Sequence, residues 1–145
     1  MKFTNTITIQ RRPGEVFGFL AQLENLPLWN YAISETRKIS GGAVGVGSRY
    51  RQTRTLPSWS EETFEVTEFE PARRLSLRGA LGPFQSEVTY LLAPAESSTV
   101  LTNTMSLQRS GPLRLVAPLA VAGIKSAVAA NLNVLKQILE ERGPN

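Results

Sequence analysis

Between Glu61 and Gln108 the chain alternates apolar and polar residues in four consecutive runs, Glu61–Glu70, Arg73–Gly79, Phe84–Leu92 and Thr99–Gln108. The runs are separated only by short turns carrying Pro71, Gly82-Pro83 and Ala93-Pro94-Ala95. A period of two is that of a strand with one buried face. Connections this short cannot hold a crossover helix, so neighbouring strands must run antiparallel. The middle of the chain is therefore a meander, and a doubly wound parallel sheet is excluded.

Three further segments extend it. Phe3–Gln10 sets Phe3, Asn5, Ile7 and Ile9 against Thr4, Thr6 and Thr8, and Tyr31–Ile39 and Ser48–Leu56 also read as strands. Pro13-Gly14-Glu15 opens a short helix in which Val16, Phe17, Leu20 and Leu23 recur at helical spacing, with proline tolerated in the first turn. Glu24–Trp29 reads as a second short helical piece, interrupted at Pro27. Gly41 to Gly47 holds four glycines, but no Gly-Lys-Ser/Thr follows and no helical pattern begins there, so it is a hairpin connection and not a phosphate loop. Pro112–Arg142, rich in Ala, Leu and Val and without strand alternation, predicts one long helix, bent near Pro118 and stopped by Gly143-Pro144. Seven strands and a long helix imply an α+β layer in which the helix covers one face of the sheet.

A length of 145 residues, with 41% hydrophobic and 19% charged, suits a single domain spanning 1–145. There is no cysteine and no histidine. Thiol chemistry, the usual general base near neutral pH and the commonest transition-metal ligand are thereby removed, so any catalysis falls to Arg, Tyr, Asp, Glu or Lys. No metal or other cofactor is expected. The N-terminus lacks an apolar core of signal-peptide type, and Leu113–Ala130 is interrupted by Arg114, Pro118, Lys125 and Ser126. A cytoplasmic protein without a membrane span is the expectation. Net charge is +4, but the arginines are interleaved with Glu61, Glu62, Glu65, Glu68 and Glu70, the pattern of a solvated surface, and no nucleic-acid partner is expected.

Several short motifs, in this order, carry a resemblance. They are Ile7-Thr8-Ile9 running into Pro13-Gly14-Glu15-Val16-Phe17, then Leu26-Pro27-Leu28-Trp29, Val46-Gly47-Ser48-Arg49-Tyr50, Val66-Thr67-Glu68-Phe69-Glu70-Pro71 and Thr99-Val100-Leu101-Thr102. Across nearly the whole chain they resemble the START-like superfamily of polyketide cyclase/dehydrase-like proteins, also called SRPBCC. The resemblance implies the helix-grip fold, with a curved seven-stranded antiparallel sheet wrapped around the long C-terminal helix and two short helices after the first strand. It also implies a hydrophobic ligand held between them, in a superfamily that includes lipid and quinone carriers and aromatic polyketide cyclases.

Alternation assigns the faces. Tyr50, Gln52, Arg54 and Leu56 share one face of their strand, and Glu62, Phe64, Val66 and Glu68 one face of the next. Phe84, Ser86, Val88, Tyr90 and Leu92 point one way in the sixth strand, and Leu101, Asn103, Met105 and Leu107 in the seventh. A buried polar group without a partner costs about 1–3 kcal/mol. Gln52, Arg54, Glu62, Ser86 and Asn103 on inward faces therefore point to a roomy cavity with fixed polar anchors. Two readings of Arg54 with Glu62 stand side by side, a neutralising ion pair and an anchor for a ligand carboxylate, enolate or phenolate, with Tyr50 or Tyr90 donating a further hydrogen bond. Trp29 and Trp59 are candidates for the pocket mouth, or for loop packing. On the helix, a stripe including Leu113, Leu115, Val116, Leu119 and Gly123, continuing through Ala127 and Ala130, is expected to face the sheet, its small residues leaving room for a ligand.

Three functions remain open: a binder or carrier of a lipid, isoprenoid or aromatic polyketide; a polyketide cyclase or aromatase-like enzyme with Arg54, Tyr50 or Glu62 assisting proton transfer; and an adaptor for a protein partner. Either a monomer or a homodimer is compatible with each.

Overall fold

The computed structural model describes residues 1–82, 84–109 and 118–142. Strand β1 (Lys2–Ile9) is followed by α1 (Pro13–Leu20), a single 3-10 turn (Leu23–Asn25) and α2 (Leu26–Trp29). Six strands come next: β2 (Ile33–Lys38), β3 (Arg49–Arg54), β4 (Ser60–Glu70), β5 (Arg74–Leu81), β6 (Phe84–Ala95) and β7 (Ser98–Arg109). Helix α3 (Pro118–Glu141) closes the chain. The seven strands form one curved antiparallel sheet in the order β1-β7-β6-β5-β4-β3-β2, so that β1 and β2 are its edges. This is the helix-grip fold.

Local chemistry accounts for most boundaries. Pro13 starts α1, where its missing N–H leaves no bond unmade, and Val16, Phe17, Phe19 and Leu20 turn inward. Pro27 likewise lies in the first turn of α2, so it begins that helix where the sequence suggested an interruption. Strand β6 runs through Ala93, Pro94 and Ala95, beyond the expected turn. The reversal falls instead on Glu96-Ser97, with Glu96 in the left-handed region at φ 56°.

One register departs from simple alternation. Val66 pairs with Leu77 but Glu68 pairs with Ser76, so β4 carries an extra residue between them. Beyond this bulge the faces exchange. Phe69 turns inward, meeting Phe17 edge-on at 5.3 Å. Glu68, expected inside, is exposed and accepts hydrogen bonds from Ser76 and Arg74.

Helix α3 is tied to β1 along its length. Asn5 Nδ2 donates to the Lys125 carbonyl, Lys136 Nζ to the Thr8 carbonyl, and the Gln10 N–H to Glu140. No helix among the described residues is long and apolar enough to cross a membrane.

Candidate functional site

Strands β3 and β4 pair so that Gln52 lies opposite Glu62 and Arg54 opposite Ser60. Alternation sends Gln52, Arg54 and Glu62 to the inner face together, where they are 7%, 8% and 4% exposed. Four donors converge on the Glu62 carboxylate: Arg54 Nε at 2.9 Å, Gln52 Nε2 at 2.9 Å, Ser60 Oγ at 3.2 Å and the Gly82 N–H at 2.7 Å. The last comes from the β5–β6 turn, where Gly82 adopts φ 58°, a conformation that glycine reaches without strain. Burial pushes the Glu62 pKa up, but hydrogen bonds from Arg54, Gly82 and Gln52, with the charge of Arg54, outweigh it and hold the group below its usual value. A carboxylate so fully engaged is a fixed counter-ion and a poor proton carrier. Arg54 spends only Nε on this pair, and its two terminal nitrogens donate to no acceptor among the described residues. They are the groups in the cluster with capacity for a ligand oxygen.

Beside this cluster lies an apolar wall. Leu81 and Phe84 flank the β5–β6 turn, Val88 continues along β6, and Val121, Ile124 and Val128 face them from α3. All six are partly buried and pack around the buried trio Phe3, Met105 and Leu107. Ser86, between Phe84 and Val88, is internally satisfied, since its hydroxyl donates to the Gly79 carbonyl at 3.0 Å. Phe64 stacks on Tyr50 at 5.2 Å. The Tyr50 phenol is pushed up to about 12 by burial and by the negative charge of Glu24, so it stays neutral and can serve only as a hydrogen-bonding group.

The remaining candidates are placed as follows. Trp29 is 5% exposed and packs edge-on against Tyr90 at 6.4 Å, inside the core and away from any rim. The Tyr90 phenol is raised by burial alone. Trp59, in the β3–β4 turn, is 67% exposed, and Leu56 beside it is exposed too. Asn103 is fully buried on the inner face of β7. Leu113, Leu115, Val116 and the side chain of Leu119 lie outside the described residues. Gly123 and Ala130 are exposed, which corrects the expected helix stripe. The sheet-facing line is Val121, Ile124, Val128, Leu132, Leu135 and Leu139, with Asn131 on the same face. Small alanines gave that part of the sequence little contrast in phase. The spacing of the branched residues, three or four throughout, carries the signal that finds it.

A separate hollow of about 520 Å³ lies on the outer side of the sheet, lined by polar and charged side chains including Arg49, Thr63, Glu65, Arg78 and Gln85. Arg78 is paired with Glu65 there. Its lining mixes these charged and polar groups with Ile39, Phe64 and Ala80.

Residues 1–140 match the family model described as polyketide cyclase/dehydrase and lipid transport. Among solved structures, the Zhui aromatase/cyclase from Streptomyces sp. R1128 superposes with a TM-score of 0.80 at 16% identity, covering 98% of this chain and 94% of that one. Ara h 8.0201 gives a TM-score of 0.80 at 11% identity, covering 98% and 99%. A START superfamily protein from Mycobacterium smegmatis gives 0.78 at 15% identity, covering 97% of each. Likeness at such identities concerns the fold alone. No curated protein sequence matches this chain significantly. With the family model spanning nearly every residue, the chain belongs to the polyketide cyclase/dehydrase and lipid transport family, as a START-like domain of the hydrophobic-ligand-binding kind.

Proposed function

We propose that the chain acts as a single cytoplasmic domain that holds a small hydrophobic molecule against the apolar wall between β6, β7 and α3, with an acidic or carbonyl oxygen of that molecule on Arg54. One observation carries this reading: a buried guanidinium whose two terminal nitrogens meet no acceptor among the described residues stands beside a row of branched and aromatic side chains that remain only partly covered. Burying such a wall against a ligand contributes about 25 cal/mol per Å² of apolar surface, and the guanidinium fixes orientation. The family match also favours a second reading, cyclase-like catalysis. Glu62 is too fully engaged for proton transfer, so the chemistry would rest on positioning, with Arg54 and neutral Tyr50 donating hydrogen bonds to substrate oxygens.

Native mass spectrometry of the purified protein, with calorimetric titration of hexadecanoate, tests the reading. Removing Arg54 alone would strand Glu62, so the variant is Arg54→Met combined with Glu62→Gln. A loss of about tenfold or more in hexadecanoate affinity is expected, the size of one charge-assisted hydrogen bond. Unchanged affinity would remove Arg54 from the site, and the absence of both a retained ligand and hexadecanoate binding would sink the carrier function.

A further inference from the structure

Two carboxamides lie one step beyond the apolar wall. On β7, Asn103 pairs with Asn5 of β1 on one side and Tyr90 of β6 on the other, all on the inner face. It is 0% exposed, and neither Nδ2 nor Oδ1 has a hydrogen-bond partner among the described residues. Asn131 of α3 is also buried, and its Oδ1 is likewise without a partner among those residues. The two come from different elements, and each adjoins the wall in sequence. Asn103 and Tyr90 each lie two residues from a wall residue, Met105 and Val88, while Asn131 follows Val128 by three on the helix. Val88 and Val128 touch both the wall and the main core, so they mark the inner end of the wall.

Its outer end is the Arg54–Glu62 cluster, held by the Gly82 N–H next to Leu81. Phe84 near that end and Tyr90 at the inner end are six residues apart along β6, a span of roughly 20 Å. Buried amides are normally paired. A chain built for a ligand with a plain hydrocarbon end would be served by Leu or Val at 103, which fill the same inner face elsewhere on β6 and β7.

We propose that Asn103, together with Asn131, forms a second polar anchor at the inner end, and that the ligand is two-ended. It carries an acidic or carbonyl oxygen at Arg54, a hydroxyl or carbonyl group at Asn103, and hydrocarbon between. This rests on the ligand-binding reading above and narrows its ligand class.

The test compares hexadecanoate with 16-hydroxyhexadecanoate by calorimetric titration on the wild type, Asn103→Leu and Asn131→Leu, with melting curves to establish that each variant is folded. The wild type is expected to bind the hydroxylated probe about tenfold more tightly than hexadecanoate. Asn103→Leu erases that preference and leaves hexadecanoate affinity within about twofold; Asn131→Leu reduces the preference in the same way and carries the test if Asn103→Leu does not fold. Equal binding of both probes by the wild type, a preference that survives both substitutions, or an equal loss for both probes overturns the second anchor while the binding reading stands. Failure of the wild type to bind either probe removes both.

Discussion

Around the C-terminal half of α3, Leu132, Leu135 and Leu139 are buried to within 3% and interlock with Ile9, Val16, Leu20 and Leu101 in one large cluster. Around the N-terminal half, Val121, Ile124 and Val128 meet Leu81, Phe84 and Val88 and all six stay partly uncovered. The same helix thus closes a core at one end and packs on a partly covered apolar wall at the other. The difference separates the part of the helix that supplies stability from the part to which we assign binding. Polar ties do not follow the same division, since Asn5 holds the Lys125 carbonyl in the open half while Lys136 and Glu140 hold Thr8 and Gln10 in the closed half. In the other half, the strongest polar cluster is the Arg54–Glu62 group, which belongs to the sheet.

That cluster offers the largest expected effect and the sharpest way to break the comparison. Glu62→Ala leaves Arg54 buried without its counter-ion and is expected to destabilise the fold by about 3–5 kcal/mol in urea denaturation. The double change Arg54→Met with Glu62→Leu should recover most of that loss, because a buried pair replaced by apolar residues is close to neutral. Acid titration gives the same answer from the other direction. The Glu62 pKa is lower folded than its usual 4.5, so the unfolded chain takes up the proton first. Its contribution is complete above about 4.5 and fades as the pH falls through the folded value. Glu62→Gln should flatten that part of the acid stability profile, and an unchanged profile would show the carboxylate to be uncoupled from folding.

Next in size is the contrast between the halves of α3. Leu135, fully buried, is expected to cost about 2–5 kcal/mol as Leu135→Ala. Ile124→Ala removes a partly covered side chain and should cost only about 1 kcal/mol, while weakening hexadecanoate binding. Equal costs at the two positions, measured by urea denaturation, would mean that the wall is closed core after all.

Much of this was legible in the sequence, and the misses have physical causes. Alternation in β3, β6 and β7 placed Gln52, Arg54, Ser86, Tyr90 and Asn103 on the inner face because those strands run without a bulge through these residues. It failed at Glu68, where one extra residue in β4 exchanges the faces and nothing in Val66-Thr67-Glu68-Phe69 marks it. The phase of α3 was misjudged at Gly123 because Ala and Gly carry too little hydrophobic contrast to orient a helix, whereas Val121, Ile124 and Val128 carry it well. That Asn103 finds no partner could not be read from any strand pattern, since satisfaction depends on what the other elements bring to it.

The smallest effect concerns the two tryptophans. Trp59 stands 67% exposed in the β3–β4 turn, and Trp29 is packed on Tyr90 at the inner end of the wall. Trp59→Phe should therefore change stability by no more than about 0.5 kcal/mol, the usual range for an exposed side chain with few contacts. It also leaves Trp29 as the sole indole, since the chain has two tryptophans. Ligand binding along the wall should then still perturb the fluorescence, through the Trp29–Tyr90 contact. Should the response vanish in Trp59→Phe while binding persists by calorimetry, the β3–β4 turn would be closing over the ligand, and the open half of the molecule would owe its cover to a loop and not to α3.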